Sequence, residues 1–178
     1  MKKINISLGI VVAVFLSIVP QASQAYFTTE QTATKVTGST AMYTIEYRFG
    51  LQNQDIYMPI VTQRELEIGS EEKKVGYSMR EDAKAVRSDG VAVGIVLSNA
   101  PIVNGMYKIS KGISRKMTLL VIYSAQTDSH EADYALQIDK LPYYVDMGGA
   151  QLEMRQLNSS EMQYYITPEI ELNEMNTM

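Results

Sequence analysis

The chain reads as an all-β protein, an antiparallel immunoglobulin-like β-sandwich behind an N-terminal signal peptide. Three observations predict this. Short segments alternate apolar and polar residues with a period of two, as half-buried strands do. Clusters of turn formers separate them at intervals of roughly 8–12 residues, and strands never alternate with helical segments. The 178 residues are 46% apolar and 20% charged, which is enough apolar side chain for one core and too much for disorder.

Residues 1–25 have the three parts of an export signal. Lys2 and Lys3 supply the positive start, residues 4–19 an apolar run, and Ser23-Gln24-Ala25 the small residues that a signal peptidase reads. Cleavage is expected between Ala25 and Tyr26. The apolar run is about four residues short of the ~20 that a spanning helix needs, and no second long run follows. The mature chain is therefore expected to carry no integral membrane anchor.

Residues 26–40, rich in Thr, Ser, Gln and Ala, read as an extended leader. From Ala41 the alternation is clean: Ala41, Tyr43, Ile45, Tyr47 and Phe49 on one face, Met42, Thr44, Glu46 and Arg48 on the other. Residues 56–62 make a short strand that Pro59 marks as an edge or bulge. Residues 64–90 are the most charged stretch and read as a surface hairpin inserted in the sandwich, with a turn at 69–73 and a helical turn or two from Arg80 to Arg87.

Residues 91–97 are apolar at nearly every position, with Gly94 in the middle. That pattern predicts a strand buried on both faces or lying at a tight backbone approach. Asn104-Gly105 is the strongest hairpin signal in the chain. Residues 117–125 read as a central strand. Residues 133–138 form another, which Pro142 separates from Tyr143-Tyr144-Val145. Gly148-Gly149 turns the chain into a last hairpin, with arms 151–157 and 161–167, and residues 168–178 form a polar tail.

Charge and composition exclude several function classes. Net charge is −4, and loss of Lys2 and Lys3 makes it more negative, so phosphate backbones and anionic lipid are disfavoured partners. The absence of cysteine removes disulfides, thiol catalysis and Cys-based zinc sites. His130 is the only histidine, so any Ser-His-Asp arrangement must use it. It lies in Asp128-Ser129-His130-Glu131-Ala132-Asp133, which matches no calcium-loop spacing and reads as a solvated loop. No nucleophile elbow or glycine-rich phosphate loop is present, and no catalytic, metal or cofactor residue is assigned. Tyrosine is abundant, and the pairs Tyr143-Tyr144 and Tyr164-Tyr165 must each send one ring away from the core if they lie in strands. The charged loop residues Glu65, Glu67, Glu71, Glu72, Lys73 and Lys74 are the expected interaction surface.

Ala25-Tyr26-Phe27-Thr28, followed by the Thr/Ser-rich leader and the alternating strand, resembles the start of camelysin and TasA-type secreted proteins. The acidic residue that follows the Phe in that pattern stands here at Glu30, and the family's small-residue turn is not evident. The resemblance implies a β-sandwich of bacterial surfaces or biofilm matrix. Some members assemble into fibres, one subunit's N-terminal strand completing the next subunit's sheet. From Gly105 through Met117-Thr118-Leu119 the chain looks more generally like an immunoglobulin-like surface domain.

The functional expectation is a non-enzymatic secreted or surface protein that acts by association with itself or a protein partner. The alternatives are a peptide- or glycan-binding accessory protein using a tyrosine-bearing face and, further off, a carboxylate- or metal-dependent hydrolase.

Overall fold

Thirteen strands and no helix make up the described part of the chain. The structure, a computed structural model, describes residues 29–51, 53–64, 74–81, 84–85, 90–125, 132–157 and 165–172. The Ala25–Tyr26 junction, the His130 loop and residues 158–164 lie outside these segments.

Two sheets pack face to face. The first has four strands in the order β1-β2-β10-β7, with β1 Thr29–Lys35, β2 Thr40–Phe49, β7 Val91–Ser98 and β10 Arg115–Ser124, all antiparallel. The second follows the order β4-β5-β11-β3-β9-β8. Its strands are β3 Ile56–Pro59, β4 Thr62–Arg64, β5 Val75–Glu81, β8 Ile102–Val103, β9 Met106–Ile109 and β11 Ala132–Asp146. On its flanks β6 Lys84–Ala85 joins β5, while β12 Leu152–Leu157 and β13 Ile170–Leu172 join β11.

The period-two face of β2 is the centre of the core. Ala41, Tyr43, Ile45, Tyr47 and Phe49 are buried, beside Met117, Leu119, Val121 and Tyr123 of β10. Opposite them lie Ile56 and Met58 of β3, Val75, Tyr77 and Met79 of β5, and Tyr134, Leu136 and Ile138 of β11. Tyrosines strap the sheets together. Tyr43 donates to the Tyr134 carbonyl at 3.1 Å and Tyr107 to the Val96 carbonyl at 3.2 Å, and the Tyr123 and Tyr134 rings meet at 5.1 Å. A tyrosine that spans the core and finds a carbonyl at its far end buries a large ring without stranding its hydroxyl. Asp55 ties a corner: it takes the Lys108 ammonium at 2.8 Å and the Lys111 backbone N–H at 2.8 Å.

The turns follow their residues. Asn104 and Gly105 both have positive φ, 51° and 76°, which is the primed turn that Asn-Gly favours, and it joins β8 to β9. Gly112, Gly148 and Gly149 also turn the chain at positive φ.

The leader is extended over Thr29–Lys35, where it pairs with β2 of the chain's own sheet from Thr29↔Tyr47 to Lys35↔Ala41. Several other expectations are corrected. Of the hairpin expected over 64–90, residues 65–73, 82–83 and 86–89 lie outside the described residues, and the described strand 75–81 is not part of a surface ribbon. β4 and β5 run parallel, and β5 is flanked by β4 and β11, with Val75, Tyr77 and Met79 fully or almost fully buried. A single tight turn cannot join parallel neighbours, so alternation in that stretch marks an interior strand and not a surface ribbon. Of the helical turn expected over Arg80–Arg87, the described residues are strand: Arg80 and Glu81 end β5, and Lys84 and Ala85 form β6 paired with them.

Pro142 does not interrupt a strand. β11 runs 15 residues through it, and Pro142 falls between the β5 register, which ends at Lys140, and the β3 register, which begins at Tyr144. At that gap one flank of the strand has no ladder partner, so the missing N–H costs little. In the last expected hairpin, residues 158–164 lie outside the described residues, and the described parts of its two arms do not pair with each other. β12 pairs antiparallel with Leu141–Asp146, and Tyr165 and Thr167 pair with Ile138 and Leu136 of the same strand, so both arms run alike along β11. The domain also extends past 167, since Ile170–Leu172 is a strand and Leu172 is buried.

Candidate functional site

The most distinctive surface is the outer face of the four-stranded sheet. In β7 the odd residues Val91, Val93, Ile95 and Leu97 point outward, while Ala92, Gly94 and Val96 point toward the core side. Val93 is 66% exposed and Ile95 44%, values far above those of a core aliphatic. β10 presents Leu120 and Ile122 on the same face, the latter 47% exposed. The register sets Ile122 opposite Val93, Leu120 opposite Ile95, and Met42 of β2 next to Ile122, so the aliphatic side chains form one contiguous band.

The other half of that face is polar. Thr32 of β1 hydrogen-bonds Thr44 of β2, Thr40 pairs with Ser124 at 2.9 Å, and the Lys116 ammonium sits 2.8 Å from the Glu46 carboxylate. The face is thus divided into an aliphatic band on β7 and the middle of β10, bordered by Met42, and a polar, threonine-rich part on β1, β2 and the two ends of β10. Isolated exposed apolar residues are ordinary, whereas a contiguous row on one rigid face marks an interaction surface.

The free edge of β7 is closed by the chain itself. The Val96 N–H donates to the Ile60 carbonyl at 3.3 Å, the Thr62 hydroxyl to the Gly94 carbonyl at 2.8 Å and the Arg64 guanidinium to the Gly90 carbonyl at 2.8 Å. Where β4 crosses β7 there is a recess of about 450 Å³, lined by Thr62, Gln63, Arg64, Lys74, Tyr77 and residues 90–94. Lys74 is the one expected interaction residue that the structure places, and it borders this recess. Glu65, Glu67, Glu71, Glu72 and Lys73 lie outside the described residues.

The tyrosine platform is not on the described surface. Tyr144 and Tyr165 are buried, and Tyr143 is half-buried against Phe49 with ring centroids 4.9 Å apart. Among the described residues no three His, Asp or Glu side chains gather closely enough to hold a metal ion.

The aliphatic row corrects the reading of residues 91–97 as doubly buried. β7 is the outermost strand of its sheet, and the opposite sheet covers only its inner face. The second half of that reading holds. A Cβ on Gly94 would lie 2.9 Å from both the Thr62 hydroxyl and the Tyr77 ring, so this is a close backbone approach. The signal in the sequence is the size alternation: small Ala92 and Gly94 where the strand is crowded, large Val93 and Ile95 where it is open. The chain matches no protein-family model, no curated protein and no solved structure.

Proposed function

We propose that this chain is an exported, non-enzymatic surface or matrix protein that works by association through the outer face of its four-stranded sheet. The observation that carries the reading is the exposed band of Val93, Ile95 and Ile122, a large aliphatic surface on a rigid sheet. The signal-like segment 1–25 supports export, with Tyr26 as the new N-terminus, and the acidic balance disfavours nucleic acid and anionic membrane as partners.

The test has two parts. The full-length chain is produced in a bacterial host, and the N-terminus of the exported material is sequenced. The exported protein and its Val93→Lys variant are then sedimented alone and with the envelope fraction of the cells that naturally make the protein. Cleavage before Tyr26 is expected, with an association that Val93→Lys weakens. An intact Met1 in the cytoplasm would refute export, and identical sedimentation of both proteins under every condition would refute association through this face.

A further inference from the structure

We propose that the outer face of the four-stranded sheet pairs with the same face of a second copy of this chain across a two-fold axis. This rests on the association reading and specifies its partner. Three observations favour a second copy over another occupant.

The first is charge. The described outward positions of the four strands carry two acids, Glu30 and Glu46, and two bases, Arg48 and Lys116. This face is therefore neutral although the chain is at −4, and Lys116 is already paired with Glu46 at 2.8 Å. Two copies meeting here bring neutral faces together and keep their acidic surfaces apart, whereas a neutral face offers an anionic lipid surface no attraction.

The second is the division of the face. A two-fold axis that runs across the strands near Ile95 lays each strand on its own equivalent and brings the two Ile95 side chains together. Aliphatic residues of β7 and β10 then cover aliphatic residues of the mate, and the threonines of β1 and β2 form a polar rim. The β7 edge is sealed by Ile60, Thr62 and Arg64, so the face, and not strand addition beside β7, is what the chain offers.

The third is size. Four strands of about eight residues cover roughly 27 Å by 19 Å, on the order of 500 Å² in plan. Side-chain relief brings this near the ~600 Å² per partner at the lower bound of specific interfaces, which suits a weak, reversible dimer.

The exported form is examined by sedimentation velocity across the micromolar range. A monomer–dimer equilibrium is expected, weakened roughly tenfold or more by Val93→Lys. The Val93→Thr/Ile95→Thr double variant, which keeps strand-favouring residues and so protects the fold, should weaken it similarly. Because the chain has no cysteine, Ile95→Cys reports geometry directly. Mild oxidation should give a disulfide-linked dimer, and Gln156→Cys on β12 should not.

A monomer throughout the range overturns the proposal. If Val93→Lys still abolishes envelope association of that monomer, the association reading stands with a different partner. If binding moves to lipid vesicles, the partner is a membrane. Assembly that ignores Val93→Lys but disappears when residues 29–35 are removed overturns the face-to-face geometry in favour of strand donation. A dimer in which Ile95→Cys does not cross-link also overturns it.

Discussion

Tyr43 and Tyr47 sit two residues apart on the same buried face and differ in one respect. The Tyr43 hydroxyl donates to the Tyr134 carbonyl at 3.1 Å, whereas the buried Tyr47 hydroxyl has no partner among the described residues. Burial pushes both phenols well above the ordinary tyrosine range, so both stay protonated. Tyr43→Phe is expected to cost about 1 kcal/mol, because it removes a buried hydrogen bond between the two sheets. Tyr47→Phe is expected to be neutral, or stabilising by up to ~1 kcal/mol, because it removes a desolvated hydroxyl that gains nothing in return. Urea unfolding of both variants checks the contrast, and an equal loss for the two would show that Tyr47 is satisfied after all. The sequence marks both residues as core by alternation alone. It holds nothing that separates them, since the carbonyl that accepts from Tyr43 lies 91 residues away on Tyr134.

At the scale of the element, β7 shows how two neighbouring sheets shape one strand. Its core-side positions are small because β4 and a tyrosine ring press on them. A Cβ on Gly94 would meet the Thr62 hydroxyl and the Tyr77 ring at 2.9 Å. One on Gly90 would meet the Tyr123 ring at 2.5 Å and the Ser124 carbonyl at 2.6 Å. Side-chain ends can yield, but a ladder carbonyl cannot move without displacing β10. Gly94→Ala is therefore expected to cost about 1–3 kcal/mol, partly offset by the better strand propensity of Ala, and Gly90→Ala clearly more. Equilibrium denaturation orders them, and Gly90→Ala at wild-type stability would mean that the start of β7 shifts freely. The position of Gly94 at a close approach was legible in the sequence. The identity of the strand that approaches was not, because parallel β4 and β5 are brought together by contacts outside their own stretch.

At the scale of the molecule, β1 closes the first sheet. It covers the edge of β2 along seven residues, and Ala33 packs against the core. Removing residues 29–35 turns β2, whose inner face is the centre of the core, into an open edge. The truncated protein is expected to unfold at lower urea and to scatter more light at equal concentration. A peptide spanning residues 26–40, added in excess, should restore the midpoint. An unchanged midpoint after truncation would show that β1 is not integral to the fold. The outer face of that sheet carries the aliphatic band of Val93, Ile95 and Ile122, the surface through which we propose that a second copy associates.

The sequence by itself determined that the protein is all-β, that residues 41–49 form a half-buried strand, that Asn104-Gly105 turns a hairpin, and that residues 117–125 are central. Each of these depends on local period or local turn chemistry, which a short stretch carries in full. Only the tertiary structure decided that the leader is β1, that residues 75–81 are interior, that β11 continues through Pro142, and that the large residues of 91–97 face outward. The physical reason is common to all four. Whether a strand is edge or centre, and which of its faces is covered, is set by its neighbours. In a sheet those neighbours come from distant parts of the chain and leave no mark on the strand's own alternation.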